Sequence, residues 1–217
     1  MGTITRSFAN NIGTSGILKA GAFNNASLNN VTALNAAIAT GNMILISYQT
    51  ASDSASISFT TGIDSTYKEY QFWFIDVHAR TDNTTFQFNL STDGGSNYNV
   101  TKTSTAFEAY NLESGGSEAI GYETAHDLAQ STNFQTISTQ NGNDVDESNS
   151  GYLSLFNPAS TVYVKHFISR TNANSFNNYS VDDFVAGYGN TTSAVNAIQF
   201  KMASGNMDGT ILMYGIK

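Results

Sequence analysis

Five carboxylates in this chain have the residue type that glycoside cleavage needs: Asp76, Asp82, Asp93, Glu108 and Glu123. That chemistry takes two acids flanking the scissile bond, and spacing alone does not pair any two of these. Solvation of a surface is the simpler role for each. The acidic run Asn143-Asp144-Val145-Asp146-Glu147 offers oxygens of the kind calcium takes, but it lacks the ligand order of a twelve-residue calcium loop. Asp93-Gly94-Gly95-Ser96-Asn97 reads as a plain β turn. His78 and His166 could ligate a metal or act as bases, yet no second histidine or carboxylate stands at ligand spacing. His78 therefore reads as a satisfied histidine at a strand end, and His166 as a buried, hydrogen-bonded one. Trp73, Tyr110, Tyr122, Tyr152, Tyr179 and Tyr188 could stack on sugar rings, with core or interface packing as the default for most of them. No phosphate loop, dinucleotide fingerprint, paired-histidine zinc motif or nucleophile elbow occurs. The expectation is a non-enzymatic chain with no catalytic, cofactor-binding or metal-binding residues and no cofactor.

Composition narrows the classes further. The 217 residues contain no cysteine, so disulfides, thiolate chemistry and cysteine zinc sites are excluded. Charged residues make up 12% of the chain and the formal net charge is −8, with the few Lys and Arg scattered. That balance disfavours a nucleic-acid partner, which wants a basic stripe. Solubility must rest on Asn, Ser and Thr. No apolar run approaches a membrane-spanning length, so no membrane insertion is expected. The N-terminus shows no basic start followed by an apolar core, and no secretory signal is expected.

The elements that would position these groups are organised around Tyr67 to Asn99. Tyr70, Phe72 and Phe74 point to one face of a strand, and Trp73, Ile75 and Val77 to the other. Such a strand is covered on both sides, or carries an oligomer contact outside. Thr81-Asp82-Asn83 supplies turn chemistry, and Phe86, Phe88 and Leu90 then alternate with polar residues. The reading is a central hairpin. Before it, Met43 to Gln49 and Ala55 to Thr60 read as strands. After it come Tyr98 to Phe107, a short strand around Ala119 to Thr124, and Phe134 to Thr139. Gly151 to Asn157, Thr161 to Ser169, Val181 to Tyr188, Ala194 to Met202 and Thr210 to Ile216 complete the series. Val162, Val164, His166 and Ile168 are placed on one face of their strand, and Ile198, Phe200 and Met202 on one face of theirs. The AHDLAQS segment reads as a turn of helix or an irregular loop.

Residues 1–42 differ from the rest. They are small, polar and rich in Gly and Asn, with isolated apolar anchors such as Phe8, Ile12 and Phe23. They read as an extended N-terminal arm, with a short helical turn around Val31 to Ala39. Residues 43–217 read as an all-β, antiparallel, jelly-roll-like sandwich of roughly ten to twelve strands with no long helix.

Several strings carry a resemblance. They are the Tyr-x-x-Tyr strand at Tyr67, the Phe-rich strand leading to Ser-Thr-Asp-Gly-Gly-Ser-Asn-Tyr at Ser91 to Tyr98, LFNPAS at Leu155, TTSAVNAIQFKMASGNM at Thr191, the ending GTILMYGIK and the opening TRSFANN at Thr5. Together the chain resembles β-sandwich virion proteins of tailed bacteriophages, including marine ones. The resemblance implies a virion structural protein, a capsid decoration or cement protein on the head surface, or alternatively a tail fibre or appendage protein that binds host surface glycan. It implies partners among the major capsid protein or tail proteins, a homo-oligomer with a trimer as the expected state, and a location on the virion surface after assembly in the bacterial cytoplasm. The matching pieces are turns and strands, so no catalytic residue transfers with them.

Overall fold

The computed structural model describes residues 42–217, so the arm and the helical turn expected before them lie outside the described residues. Twelve strands run in order: β1 (Met43–Ser54), β2 (Ile57–Phe59), β3 (Glu69–Ala79), β4 (Thr84–Ser91), β5 (Lys102–Leu112), β6 (Glu118–Tyr122), β7 (Gln135–Asn141), β8 (Asn149–Phe156), β9 (Lys165–Asn174), β10 (Tyr179–Gly189), β11 (Ala197–Met202) and β12 (Met207–Ile216). They form an antiparallel eight-stranded sheet in the order β1-β12-β3-β8-β9-β10-β5-β6 and a four-stranded sheet in the order β2-β11-β4-β7. Setting aside β5–β6 and β9–β10 leaves two sheets of four, β1-β12-β3-β8 and β2-β11-β4-β7. Their interleaved chain order is the double Greek key of a jelly roll. The two remaining strand pairs are insertions that widen one sheet on one side.

Alternation explains the core. Tyr70, Phe72 and Phe74 of β3, Phe86, Phe88 and Leu90 of β4, and Ile198, Phe200 and Met202 of β11 are all buried. Period-2 patterning sends every second side chain inward, and these three sets meet between the sheets as one cluster.

Four expectations are corrected. The central hairpin is not one, because β3 belongs to the large sheet and β4 to the small one. The Thr81-Asp82-Asn83 turn, with Asn83 at φ 53°, carries the chain from one layer to the other. Val77 points inward and is 1% exposed. The cause is a β-bulge: His78 pairs with Asp208 and Ile75 with Thr210, so Asp76 and Val77 together oppose Gly209. The extra residue, Asp76 at φ 48°, reverses the facing of the residues after it. The strand drawn from Thr161 begins only at Lys165, with Val162 67% exposed on the preceding loop. Its inward set is Lys165, Phe167, Ser169, Thr171 and Ala173, which leaves His166 exposed instead of buried. The AHDLAQS segment takes the irregular of its two expected forms, a turn followed by irregular chain, closed by a His126 N–H to Glu123 carbonyl bond of 3.1 Å.

Gly209 is required at the bulge. It sits at φ +120°, and a Cβ there would lie 2.7 Å from the Asp76 carbonyl oxygen and 2.8 Å from Val77 Cα. Gly209→Ala is expected to lower unfolding free energy by about 3 kcal/mol, combining backbone strain with a backbone clash. Gly94→Ala, also at positive φ but with nothing within 4 Å of its Cβ, should cost about 1 kcal/mol. Urea denaturation of both variants checks this, and equal losses would contradict the clash.

Candidate contact face on the large sheet

The register of the large sheet lines up one residue from each of its eight strands. Tyr48 pairs with Leu212, Leu212 with Trp73, Trp73 with Tyr152 and Tyr152 with Arg170. Arg170 pairs with Phe184, Phe184 with Phe107 and Phe107 with Tyr122. Directly opposed residues share a face, so all eight project from the side away from the core. At about 4.8 Å between strands, the row is about 34 Å long. Tyr48 is 64%, Trp73 37%, Phe107 40% and Tyr122 52% exposed.

Within the row the rings stand against one another. Phe107 and Phe184 stack at 4.7 Å with 7° between their planes. The Arg170 guanidinium lies 4.5 Å from the Phe184 centroid, a cation–π contact, and is ion-paired with Asp182 at 2.7 Å. That bond and the adjacent negative charge raise the Arg170 pKa further. Trp73 and Tyr152 are 5.8 Å apart at 44°, and Trp73 Nε1 donates to Gln71 Oε1 at 3.0 Å. Tyr122 donates its hydroxyl to Asp127 at 2.7 Å.

Two shallow depressions flank the row. One of about 470 Å³ lies where small residues separate Tyr188 and His166 from Ile168; the other, of about 290 Å³, is lined by Ser150, Tyr152, Arg170 and Asp182. Among the described residues, twelve large hydrophobic side chains are substantially exposed. Nine share this face by register and strand alternation: Met43, Leu45, Tyr48, Trp73, Ile75, Phe107, Ile120, Tyr122 and Ile168. The other three, Val145, Val162 and Tyr163, lie on loops. Scattered apolar residues on a surface mean little, but a concentration on one face marks a contact surface.

The candidates drawn from the sequence fall in separate places. Trp73, Tyr122 and Tyr152 are in the row, and Tyr188 borders it. Tyr110 and Tyr179 pack edge-to-face at 5.5 Å, beside Gln140 and Asn177. Asp76 is the bulge residue and Asp82 a turn residue, both exposed. Asp93 holds its own turn, accepting from Ser91 Oγ at 2.6 Å, Asn97 N at 2.9 Å and Asn97 Nδ2 at 2.7 Å. Those bonds hold its pKa down at about 2. Glu123 is half-buried beside its turn. In the acidic loop, Glu147 turns inward and accepts from Asp144 N at 2.7 Å, while Asp144 and Asp146 remain exposed. No group of three or more His, Asp or Glu among the described residues could hold a metal ion. His78 donates from Nδ1 to the Glu147 carbonyl at 2.6 Å.

Glu108 alone meets another carboxylate, one that sequence reasoning passed over. It pairs with Asp183 across β5 and β10, and both are buried. Thr139 bridges them, its hydroxyl 2.7 Å from Glu108 Oε2 and 3.2 Å from Asp183, while its N–H donates to Asp183 at 2.9 Å. Burial first, and the facing Glu108 charge in addition, push Asp183 up to about 7. The pair is buried where β5 and β10 pack against β7, and Gln140 Nε2 donates to Glu108 Oε1 at 3.3 Å. Lys102 is likewise fully buried, donating to Asn89 Oδ1 at 2.5 Å and to the Val100 carbonyl at 2.9 Å. Loss of hydration pushes it down to about 7. The row itself was partly legible: Phe107 and Phe184 are apolar residues on the strand parity opposite Ala106 and Val185, the same two-faced pattern that marked Trp73.

No family model, curated protein or solved structure matches this chain.

The two buried groups give opposite pH slopes. Folded Asp183 keeps a proton that the unfolded chain releases above about 3.8, so stability falls as pH rises from there to about 7. Folded Lys102 gives up a proton near pH 7 that the unfolded chain keeps to about 10.5, so stability rises across that alkaline window. Asp93 acts only below both windows. Melting temperature against pH should therefore show a trough near neutrality. Asp183→Asn should flatten its acidic side, and Lys102→Met should reduce the slope of its alkaline side, to which Lys165, also pushed down by burial, adds in the same direction. A maximum near pH 7 would contradict both assignments.

Proposed function

We propose that this chain is a non-enzymatic structural protein of a tailed-bacteriophage virion that decorates or cements the outside of the head shell. The observation that carries this reading is the broad apolar face of the large sheet. It is a shallow, ring-lined surface suited to lasting protein contact, not a cleft that gathers reactive groups. The buried ionisable residues, among them Glu108, Asp183, Lys102 and Lys165, are taken up by hydrogen bonds within the fold. The fold adds support by analogy, since jelly rolls build viral shells as well as lectins. The strands that carry the resemblance, including β3, β4, β11 and β12, are those that build the core.

In this reading the partners are the major capsid protein or another virion subunit together with further copies of the chain, in a homo-oligomer for which a trimer is one arrangement. Residues 1–42 supply the anchoring segment, and the protein assembles in the bacterial cytoplasm before residing on the virion surface. A second reading, a tail fibre or appendage protein that holds host glycan, is favoured by Tyr48 and Tyr122. These rings at the two ends of the row are 64% and 52% exposed. The middle of the row speaks against it, because the stacked Phe107 and Phe184 cover each other's faces and sugars need an open ring face.

Deletion of residues 1–42 should abolish incorporation into virions while the sandwich keeps its β circular dichroism and cooperative melting. Normal incorporation of the truncated protein would remove the anchoring role. Glycan-array binding that is lost with Tyr48→Ala and Tyr122→Ala would replace decoration with host recognition.

A further inference from the structure

We propose that the outer face of the large sheet is covered by a second copy of this chain, in a two-fold dimer whose axis runs along the strands between β8 and β9. The inference rests on reading this face as a contact surface. It does not rest on the virion assignment.

Three observations select a second copy. The first is the order of the row. Four of its residues lie on each side of the β8–β9 boundary, and rotation about an axis there lays the row over its own reverse. Arg170 then lies over the other copy's Tyr152, Phe184 over Trp73, Phe107 over Leu212 and Tyr122 over Tyr48. Every pairing is apolar, aromatic or cation on ring, and each occurs twice, as an isologous contact demands. Facing sheets pack about 10 Å apart with strands within about 30° of alignment. The central pairs therefore meet most directly, and the end rings are offset along the strands while staying inside the covered area.

The second observation is charge. The chain carries a net charge of −8, yet the row and its two neighbouring rows hold only Arg170 and Asp182, joined in an ion pair at 2.7 Å. Carboxylates border this face: Asp76 in the bulge, Glu118 on β6, Glu69, which accepts from Ser154 Oγ at 2.8 Å, and Asp127, which accepts from Tyr122 at 2.7 Å. The centre of the face is nearly neutral, and where the two-fold brings Asp76 over the other copy's Asp182, the Arg170 ion pair offsets that charge. This centre offers no free cation to a nucleic acid and no charge match to a strongly basic or acidic partner.

The third observation is size. Three rows about 7 Å apart along strands of a sheet about 34 Å wide give about 700 Å² per copy. A stable interface of standard size buries about 800 Å² per partner. The upright stacking of Phe107 and Phe184 presents ring edges, which interdigitate with a facing sheet and leave no open platform for sugar.

The test is sedimentation equilibrium and light scattering on the full 217-residue chain at micromolar concentration. The expected species has twice the 23.3 kDa chain mass. Trp73→Glu, near the centre of the row, and Tyr48→Glu, on the edge strand, should each weaken the dimer by at least tenfold with circular dichroism unchanged. Tyr163→Glu, on a loop off this face, should leave it intact. The edge position of Tyr48, 64% exposed, keeps the test decisive if Trp73→Glu fails to fold. A monomer at all concentrations, a trimer, or a dimer indifferent to Tyr48→Glu would overturn the proposal. A monomer that binds glycan through Trp73 would overturn it too and assign the face to sugar. A wild-type chain that is monomeric in solution yet incorporated into virions would end this inference and leave the decoration reading standing.

Discussion

Phe200 sits where five other phenylalanine rings converge. Phe74 and Phe72 approach it at 5.2 and 5.4 Å from the large sheet. Phe86, Phe88 and Phe59 approach at 5.9, 6.3 and 6.4 Å from its neighbours in the small sheet. Most of these pairs are edge-on or tilted, the arrangements in which ring quadrupoles attract. The cluster ties β2, β4 and β11 to β3, and so fixes the spacing and alignment of the two layers. Phe88 extends it by an edge contact at 5.0 Å with Phe167, the first inserted strand. The bulge at Asp76 belongs to the same arrangement, since it turns Val77 inward to close the end of the cluster.

Four strands cannot cover eight, and the character of the remaining interior comes from that mismatch. Behind β9, β10 and β5 the small sheet contributes chiefly β7, and loops fill the rest. Loops bring unpaired carbonyls into a buried space, where each needs a donor. The inward side chains there are donors. Lys165 bonds the Tyr163 and Thr191 carbonyls at 2.6 and 3.2 Å. Thr171 bonds that of Ile137 at 2.6 Å, and Gln135 that of His126 at 2.8 Å. Asn89 bonds the Tyr98 and Thr132 carbonyls at 2.8 and 2.9 Å. Lys102 joins this set through Val100. These buried polar residues tether loops and β7 to the part of the sandwich that the small sheet covers only in part.

This division explains what could be read from the residues and what could not. Ile198, Phe200 and Met202 announced their inward face because the Phe-lined half follows simple alternation. The polar half hides itself: Lys102, Glu108, Asp183 and Lys165 look like surface residues, and only the β7 strand and the loops that close over them make them interior. His166 failed for the same reason. Its strand was phased by Val162, Val164 and Ile168, whereas the inward residues include Lys165, Ser169 and Thr171. The Thr81-Asp82-Asn83 turn was correctly located, but its chemistry does not say whether a chain returns beside itself or crosses to another layer. The eight-residue row could not be read from any single strand, since it exists only through the register of seven strand pairs.

The same mismatch bears on the outer face. In the Phe-lined half, strands such as β3 gain their hydrophobic stabilisation from inside. On β5 the inward residues include Lys102, Ser104 and Glu108, while Phe107 faces outward; on β10 Asp183 is inward and Phe184 outward. β6 keeps Ile120 and Tyr122 outside at 72% and 52% exposure. These inserted strands still bury Ala106, Phe167, Val181 and Val185, but they mix polar residues into the inward face and leave more apolar side chains outside than β3 does. Hydrogen bonds to buried loops contribute modestly, about 1 kcal/mol each net, whereas full burial of a large apolar side chain contributes about 1.5–3 kcal/mol. The inserted strands therefore have most to gain from burial on the side away from the sandwich. A contact there would stabilise the region the core supports least, so folding of the widened sheet and occupation of its outer face are coupled through the same residues.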